Sequence, residues 1–359
     1  MRTRILFSGY YGLGNAGDEA VLAASVHLFR RLRPEVRIEV LSANVAATKT
    51  ALGVDATPRM DPAAVVGAIR RCDLFLSGGG SLLQDTTSFQ SLCYYLGLLV
   101  LARRLGKKTM VYAQGIGPLH RDATRRMTGR VLRRVDAITV RDAESADLLR
   151  SLGVDGAGVP NVEVTADPVF ALDPKVTDRV HRLALERPVA AVSLRPWPGV
   201  ENILEPLAEA FAPYRGILNV QAWPLFPDQD LELCRRWVAL TPGAQVQEEA
   251  LDPAEWMALA GWTDVVVGMR LHALIFGAAR GARLLGISYD PKVDALLGRL
   301  RVRPIGTPDR LDITALRAGI DAALAEEDTR WKDRQARAAH LREAAERNVT
   351  RALALLDSD

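Results

Sequence analysis

The chain has 359 residues, of which 48% are hydrophobic and 25% are charged, and its formal net charge is +3. One ordinary core does not grow to this length, so two domains are expected, and the near-neutral balance gives no indication of a nucleic-acid partner. The three cysteines, Cys72, Cys93 and Cys234, are too irregularly spaced for a disulfide framework or a zinc site. We therefore expect buried free thiols in a reducing compartment, the cytoplasm.

Two segments bear on membranes. The amino-terminal apolar run is too short for a secretory signal, and the strongest apolar run, residues 92–102, covers about half of a bilayer. A buried helix is therefore expected there. Basic residues crowd the stretch from 103 to 134, and two interpretations stay open for them. They are solvated helix faces, or they form a surface that attracts phosphate-rich lipid head groups and places the protein peripherally at the inner face of the membrane.

Short apolar runs alternate with helical patterns through the first half of the chain. This alternation predicts a parallel, doubly wound sheet, whose ligands bind at the carboxyl ends of the strands. Strands are predicted at residues 4–8, 37–41, 74–77, 109–113, 137–140 and 162–165, and helices at 18–31, 62–70, 92–105, 121–134 and 145–152.

Two glycine-rich loops follow predicted strands in this half, GYYGLGNAGDE at residues 9–19 and SGGGSLLQD at residues 77–85. Without Cβ atoms, their backbone N–H groups can approach an anionic or sugar ligand closely. The acidic pair Asp18 and Glu19 either caps the next helix or binds a sugar hydroxyl, and Gln84 and Asp85 leave the same choice open. The loop residues predicted to bind substrate are Gly14, Asn15, Asp18, Gly79, Gly80, Ser81, Gln84 and Asp85, together with Gln114 after the fourth strand.

The same alternation restarts after a charged passage at residues 171–188. Two Rossmann-like domains followed by a long helix match the GT-B arrangement. We expect one domain at residues 1–172, with the terminal helix, about 330–359, packing back on it, and a second domain at 188–329. In the second half, strands are predicted at 189–194, 216–221, 245–247, 264–267 and 283–288, and helices at 203–211, 230–239, 253–260, 271–280, 293–300 and 330–356.

The segment VVVGMRLHALIF, residues 265–276, concentrates chemistry at one strand end. A buried strand ends at Gly268, and a helix begins near Arg270, so Arg270, Leu271 and His272 fall in the first turn. The free N–H groups of that turn favour an anion, and a guanidinium suits a carboxylate or phosphate. The imidazole of His272 can transfer a proton near neutral pH, although a lone histidine is more often structural.

Three further cations follow predicted strands: Lys292, Arg195 and Arg141. Because the carboxyl ends of adjacent parallel strands meet at one edge, the loops of Lys292 and Arg270 can line one pocket. The alternative for Lys292 is a solvated side chain in a simple Asp290-Pro291 turn. Taken together, the cations predict a small acidic substrate with several charges.

No metal site or cofactor is expected from the sequence. Residues 228–230, DQD, have the form of a divalent-cation motif, but Asp230 is expected to start a helix instead. The first glycine loop lacks both the dinucleotide spacing and the lysine of a Walker motif.

The chain resembles the polysaccharide pyruvyl transferase family, of the CsaB type. The segments that carry the resemblance extend from the first strand to about residue 293: GYYGLGNAGDEA, SGGGSLLQD, QGIGP, VRD, ADPVF, GMRLHALIF and SYDPKV. The resemblance implies a GT-B-like fold and transfer of pyruvate from phosphoenolpyruvate to an N-acetylmannosamine-type sugar of a lipid-linked cell-wall precursor. It also implies that Arg270, His272 and Lys292 belong to the active site.

The implied product is a cyclic ketal that gives a secondary cell-wall polymer its negative charge and serves as a ligand for S-layer proteins. His272 is expected to protonate the methylene carbon, with Lys292 as the other candidate donor, while Arg270, Lys292 and Arg195 hold the carboxylate and phosphate. Two other functions stay open: a GT-B glycosyltransferase that uses a nucleotide sugar, and a sugar-phosphate binding module without activity.

Overall fold

The computed structural model describes residues 3–86, 88–156, 158, 160–325 and 329–358. Its contacts divide the chain into two compact units. The first holds Met1–Leu13, Asp18–Ala171 and Leu341–Asp359, and the second holds Gly14–Gly17 and Leu172–His340. Residues 1, 2, 87, 157, 159, 326–328 and 359 of the predicted domains lie outside the described part. Each unit contains one parallel sheet, so the prediction of doubly wound α/β architecture is confirmed.

The first sheet has seven parallel strands in the order β3-β2-β1-β4-β5-β6-β7. The strand order reverses between β1 and β4, and the two glycine loops follow these two strands. A reversal of this kind opens a crevice at the carboxyl edge of a sheet. The elements are β1 (Arg4–Ser8), α1 (Ala16–Leu32), β2 (Arg37–Ser42), α2 (Val45–Leu52), β3 (Asp55–Pro58), α3 (Pro62–Arg71), β4 (Leu74–Gly78), α4 (Phe89–Arg104), β5 (Lys108–Gln114), α5 (Asp122–Leu132), β6 (Ala137–Val140), α6 (Ala143–Ser151) and β7 (Val162–Val164).

Helix α2 and strand β3 were not predicted from the sequence. Asn44 caps α2 by accepting a hydrogen bond from the N–H of Ala47 at 3.0 Å, and Gly53, with φ of 60°, ends the helix. The strand β3 is only four residues long, DATP, and lies at the edge of the sheet with one buried residue. Neither element carries the apolar run that the analysis used to recognise helices and strands.

Helices α3 to α6 cover one face of this sheet. Ile69, Leu99, Leu132 and Leu149, one from each helix, are fully buried in the same cluster as Phe75 of β4. Consecutive strands β4, β5 and β6 lie side by side, and their right-handed connections place α4 and α5 on the same side. The core therefore fixes the strand ends from which the glycine loops emerge.

The second sheet has five parallel strands in the order β10-β9-β8-β11-β12. Its strand order reverses between β8 and β11, so the carboxyl ends of β8, β11 and β12 are neighbours. The elements are α7 (Asp178–Leu183), β8 (Val189–Ser193), α8 (Glu201–Phe211), β9 (Asn219–Ala222), α9 (Pro227–Leu240), β10 (Ala244–Val246), α10 (Pro253–Leu259), β11 (Val265–Gly268), α11 (Leu271–Ala279), β12 (Arg283–Gly286), α12 (Pro291–Arg299), the hairpin β13 (Gly306–Thr307) and β14 (Arg310–Leu311), α13 (Ile313–Leu324) and α14 (Thr329–Asp357).

Two predicted helix starts, those of α4 and α9, are three residues late. Helix α9 begins at Pro227, and Asp230 lies inside its first turn, where its carboxylate accepts a hydrogen bond from the N–H of Phe226 at 2.9 Å. Proline is favourable at the first helical position because its missing N–H has no helical partner there. Pro227 was not considered as a signal for a helix start, so the start of α9 was predicted three residues late.

The terminal helix α14 is 29 residues long, and its residues from Leu341 onwards belong to the first unit. Within that unit the fully buried Asn348 accepts a hydrogen bond from Thr165 at 2.7 Å and donates one to the carbonyl of Ala166 at 2.9 Å. None of the helices in the described part of the chain has the length and apolarity that a bilayer crossing requires.

Candidate active site

Three of the predicted cations follow three neighbouring strands of the second unit. Arg195 comes two residues after β8, Arg270 two residues after β11, and Lys292 lies in the first turn of α12, which follows β12. Because β11 pairs with both β8 and β12, the end of β11 lies about 5 Å from the ends of each of these two strands. The structure thus brings these residues to one edge of one sheet.

Arg270 is held by a buried carboxylate. Its Nε donates to Oδ2 of Asp230 at 2.9 Å, and its Nη2 contacts the other carboxylate oxygen and donates to Oε1 of Gln229 at 3.2 Å. Asp230 has no exposed surface, and Arg270 is 8% exposed. Burial raises the pKa of Asp230, and the hydrogen bond from Arg270 acts in the opposite direction. The pair fixes the guanidinium in one orientation at the start of α11.

The sequence analysis did not identify Asp230 as a partner of Arg270. The two residues are forty positions apart, and the DQD pattern suggested either a cation site or a helix start. In the described ranges, no group of three or more His, Cys, Asp and Glu side chains is placed to hold a metal ion. The carboxylate of Asp230 instead serves as the counter-charge of Arg270.

Arg195 is surrounded by aromatic rings. Its Nη1 donates to the hydroxyl of Tyr289 at 2.8 Å, and its guanidinium carbon lies 4.7 Å from the centre of that ring and 5.0 Å from the ring of Trp197. The positive charge also acts on Asp230, whose pKa it lowers. Contacts of this kind immobilise a guanidinium without neutralising it. Arg195 therefore keeps its charge for a ligand.

Lys292 contacts the same tyrosine. Its ammonium lies 5.3 Å from the centre of the Tyr289 ring and 3.2 Å from a carboxylate oxygen of Asp290. Asp290 also caps α12 by accepting a hydrogen bond from the N–H of Lys292 at 3.1 Å. Tyr289 thus touches both cations. Tyr289 and Trp197 were not predicted, although each aromatic residue follows a strand and lies within three residues of a cation in the sequence.

His272 is the second residue of α11 and is partly buried, next to the buried Leu271. Its imidazole packs against Gly17, where an added Cβ atom would come within 2.1 Å of Nδ1. Both residues belong to the second unit. Asn15 fixes this segment, because its side chain accepts a hydrogen bond from the N–H of Gly17 at 3.1 Å. Only a glycine allows the backbone to approach the ring so closely.

Three other predicted residues belong to the same parts of the chain. Gly268 is the last residue of β11, and its carbonyl accepts a hydrogen bond from the N–H of Ile287 at 2.9 Å. Gly14 has φ of 76°, and a Cβ atom there would meet no atom within 4 Å, so this position is open. Leu271 is 5% exposed and is part of the buried core.

Arg141 is buried in the first unit and carries several internal contacts. Its guanidinium donates to the hydroxyl of Ser81 at 2.8 Å and lies 3.3 Å from Asp167 and 3.6 Å from Asp142. It also lies against Gly115, where a Cβ atom would come within 2.7 Å of Nη2. Two carboxylates therefore balance this charge, and the residue connects loops that follow different strands.

The SGGG loop after β4 requires its glycines. Gly79 and Gly80 have φ of 54° and 76°, and a Cβ atom at Gly79 would come within 2.0 Å of Val21. A Cβ atom at Gly80 would come within 2.7 Å of the carboxylate of Asp18, which therefore lies against the loop. Gln114 is fully buried and donates to the carbonyl of Ser77 at 2.8 Å. The loop is held in one conformation by these contacts.

The acidic residues of both glycine loops have structural contacts. Asp85 accepts hydrogen bonds from the N–H groups of His120 and Arg121 and from the hydroxyl of Thr124 at 2.6 Å, so it caps α5 from another loop. Glu19 accepts hydrogen bonds from the N–H groups of Gly12, at 2.7 Å, and Leu13 in the first loop. Gln84 accepts one from the N–H of Thr86 at 2.7 Å.

The fold is shared with several solved structures. The chain superimposes on a putative UDP-N-acetylglucosamine 2-epimerase from Listeria monocytogenes with a TM-score of 0.66 and 13% identity, over 98% of this chain and 96% of the other. The UDP-GlcNAc 2-epimerase from Neisseria meningitidis, bound to UDP-GlcNAc, gives 0.65 and 12% over 99% and 100%. Anabaena HepE in complex with UDP and glucose gives 0.60 and 12% over 98% of each chain. At such identities the likeness concerns the fold alone, and it confirms the predicted GT-B-like arrangement with a long carboxyl-terminal helix.

Sequence comparison gives the family. No curated protein sequence matches the chain. The family model of the polysaccharide pyruvyl transferases matches residues 15–291. This range begins inside the first glycine loop, includes the SGGG loop, Arg195 and Arg270, and ends one residue before Lys292. The chain therefore belongs to the polysaccharide pyruvyl transferase family and is a transferase.

Proposed function

We propose that the protein is of the CsaB type and transfers pyruvate from phosphoenolpyruvate to an N-acetylmannosamine-type sugar of a lipid-linked cell-wall precursor. The product would be a pyruvate ketal, which supplies the negative charge of a secondary cell-wall polymer and a ligand for S-layer proteins. The reaction would take place in the cytoplasm. The observation that carries the proposal is the convergence of Arg195, Arg270 and Lys292 on one edge of the second sheet.

The three cations suit the donor. Phosphoenolpyruvate carries a carboxylate and a phosphate, and a planar guanidinium matches either group with two parallel hydrogen bonds. Arg270 is already oriented by Asp230, and Arg195 is oriented by Tyr289 and Trp197. A site whose cations are fixed in advance loses little side-chain entropy when the donor binds. We assign Arg270 and Arg195 to the two anionic groups and Lys292 to the phosphate.

The proposed reaction conserves atoms and charge. His272 gives a proton to C3 of phosphoenolpyruvate, which turns the methylene into a methyl group. A sugar hydroxyl attacks C2, the C2–O bond to phosphate breaks, and a second hydroxyl closes the ketal. Of the two hydroxyl protons released, one restores His272 and the other leaves with phosphate. The cations offset the charge that develops on phosphate as it departs.

The acceptor is assigned to the glycine loops, Gly14, Asn15, Asp18, Gly79, Gly80, Ser81 and Gln84. These loops present backbone N–H groups without intervening side chains, which suits a sugar or its diphosphate. Asp85, Arg141 and Gln114 are assigned to the same site as residues that position the loops, because their polar atoms already bind loop backbone and side chains.

The decisive experiment measures phosphate release from phosphoenolpyruvate with a panel of lipid-linked disaccharides, and identifies the product by mass spectrometry. The expected result is stoichiometric phosphate and an acceptor that gains the mass of a pyruvate ketal. Thermal-shift titration separates the other two functions. Stabilisation by UDP-sugars but not by phosphoenolpyruvate would support a glycosyltransferase. Stabilisation by phosphoenolpyruvate without phosphate release on any acceptor would support a binding module.

A further inference from the structure

We propose that the exposed side of α4 and α5 in the first unit docks on an anionic lipid bilayer. This surface, the α4–α5 basic face, is defined by arginines at the end of α4 and along α5 and its flanks. Each of them is exposed, and no guanidinium among them has a hydrogen bond or an ion pair with another described residue. They are Arg103, Arg104, Arg121, Arg126, Arg130 and Arg134.

No described carboxylate pairs with the six guanidinium groups of this face. Several exposed arginines elsewhere do have such a partner, as Arg236 does in Glu201 and Arg235 in Glu248. The single acidic residue in the sequence of α5 is Asp122, in its first turn. A surface rich in one charge sign attracts a partner of the opposite sign over about a Debye length.

Two of the arginines lie on the same side of α5. Arg126 and Arg130 are four residues apart and therefore about 6 Å apart along the helix, and Arg134 comes two residues after the helix ends at Leu132. Like charges at this spacing destabilise a helix by about 0.2–0.5 kcal/mol per pair. Phosphate groups bound along the α4–α5 basic face would remove that repulsion. The arrangement is therefore suited to a polyanion rather than to a single small ion.

Arg103 and Arg104 extend the face onto α4. The two helices cover the same side of the sheet, and each ends just before the next strand begins, at the amino edge of the sheet. The carboxyl-terminal arginines of α4 and α5 consequently lie at the same edge. The basic face spans two helices and forms a broad surface.

The exposed side of these helices offers charge, which favours lipid head groups. The half-buried apolar residues Met127 and Val131 of α5 and Leu101 and Leu105 at the end of α4 pack against the core, so they are not part of the basic face. Basic side chains beside an anionic membrane surface are attracted to its head groups. Sites for single-stranded nucleic acid add aromatic stacking platforms, and the sequence of α5 contains no aromatic residue. Docking of this kind is peripheral and is independent of the pyruvyl chemistry proposed above.

Vesicle sedimentation with the full chain tests the proposal. The variant replaces Arg126, Arg130 and Arg134 by glutamine, and the control replaces three exposed arginines of the second unit, Arg215, Arg303 and Arg310, by glutamine. The wild type should bind vesicles that contain phosphatidylglycerol and should leave pure phosphatidylcholine vesicles in solution. An arginine near an anionic surface contributes about fivefold to partitioning, so the variant should bind about 100-fold more weakly. The control should bind like the wild type.

Three outcomes would overturn the proposal: no sedimentation of the wild type with anionic vesicles, equal losses in the variant and the control, or equal binding to neutral vesicles. A stronger binding to poly(U) than to anionic vesicles at the same salt concentration would replace lipid by nucleic acid as the partner. Circular dichroism of both triple variants checks folding, which is expected to be unchanged because the substituted side chains contact no other described side chain through a polar group.

Discussion

Asp230 holds Arg270 with both carboxylate oxygens at the first turn of α11, and the carboxylate has no exposed surface. A buried ion pair contributes little net stability, but removing one of its partners leaves a charge without compensation in the interior. The pair therefore fixes the orientation of the guanidinium that we assign to the donor. Asp230 acts on the donor through Arg270, as a positioning residue.

Replacing Asp230 by asparagine should weaken both the fold and the donor site. We expect the free energy of unfolding to fall by about 3 kcal/mol, because Arg270 would keep a buried charge without its partner. The KM for phosphoenolpyruvate should rise, since the guanidinium would no longer be held. Asp228 is exposed, and Asp228→Asn is the matched control. Urea unfolding and phosphate-release kinetics measure both effects. Equal behaviour of the two variants would contradict the role of Asp230.

The proton donor can be identified by comparing two substitutions. His272→Gln should lower kcat about 100-fold or more while the KM for phosphoenolpyruvate stays within a few fold, because general acid catalysis contributes at least that much. Lys292→Gln should mainly raise the KM, since it removes a phosphate contact. His181→Gln, at an exposed position of α7, is the control. The opposite pattern would transfer the role of acid to Lys292.

The contact between Gly17 and His272 can be tested by a substitution that leaves the imidazole itself unchanged. In Gly17→Ala the new methyl group would overlap the imidazole, whose Nδ1 lies 2.1 Å from the ideal Cβ position, so the ring must move. A displacement of about 1 Å can lower turnover about 100-fold. Gly97→Ala in α4 is the control, because a Cβ atom there meets no atom within 4 Å. Unimpaired turnover in Gly17→Ala would show that the position of the ring tolerates the shift.

Asp85 links stability to pH. Its burial would raise its pKa, but the hydrogen bonds from Thr124, His120 and Arg121 outweigh that effect and hold the pKa below its usual range. A carboxylate with a lowered pKa in the folded state stabilises the fold fully above its unfolded pKa, about 3.9, and loses this contribution as the pH falls below it. Asp85→Asn should therefore destabilise the protein by about 1–2 kcal/mol at pH 7 and lose less stability than wild type between pH 5 and pH 2.

Asp122→Asn, at the exposed first turn of α5, is the control for that experiment. Chemical unfolding across the pH range gives the free energies. Parallel curves for the wild type and Asp85→Asn would mean that Asp85 does not contribute through its charge.

The cysteines should differ in reactivity. Burial raises the pKa of Cys72 and of Cys234 to about 12, whereas Cys93 is only partly buried. Because the thiolate is the reactive form, we expect only Cys93 to react quickly with dithiobis(nitrobenzoate) at pH 8. The folded protein should therefore release about one equivalent of thionitrobenzoate from this reagent in a fast phase. Cys93→Ser should remove this fast phase. A fast phase that persists in Cys93→Ser would show that one of the buried thiols opens to solvent. The analysis expected all three thiols to be buried, and for Cys93 this is wrong.

Most of the fold followed from local patterns. Strands of the two sheets, such as β4 and β11, are short apolar runs that end in glycine, and this pattern locates them to within one or two residues. The edge strand β3 was not predicted because a strand with one buried residue has no apolar run of this kind.

The candidate site was predictable only in part. Cations after strands can be found by position, because parallel strands end at one edge. Their partners cannot, since Asp230 and Tyr289 reach Arg270 and Arg195 through tertiary packing between distant segments. The same holds for Arg141, whose partners Ser81 and Asp167 are distant from it in the sequence.

The buried guanidinium of Arg141 joins the loop of Ser81 to Asp142 and Asp167. Opening any one of these loops would leave the buried charge of Arg141 without one of its partners. The loops should therefore open together. Amide hydrogen exchange at Gly80 and Val169 would then occur in one cooperative event, with a common opening free energy and a common response to denaturant. A platform of this kind would meet its ligand already assembled.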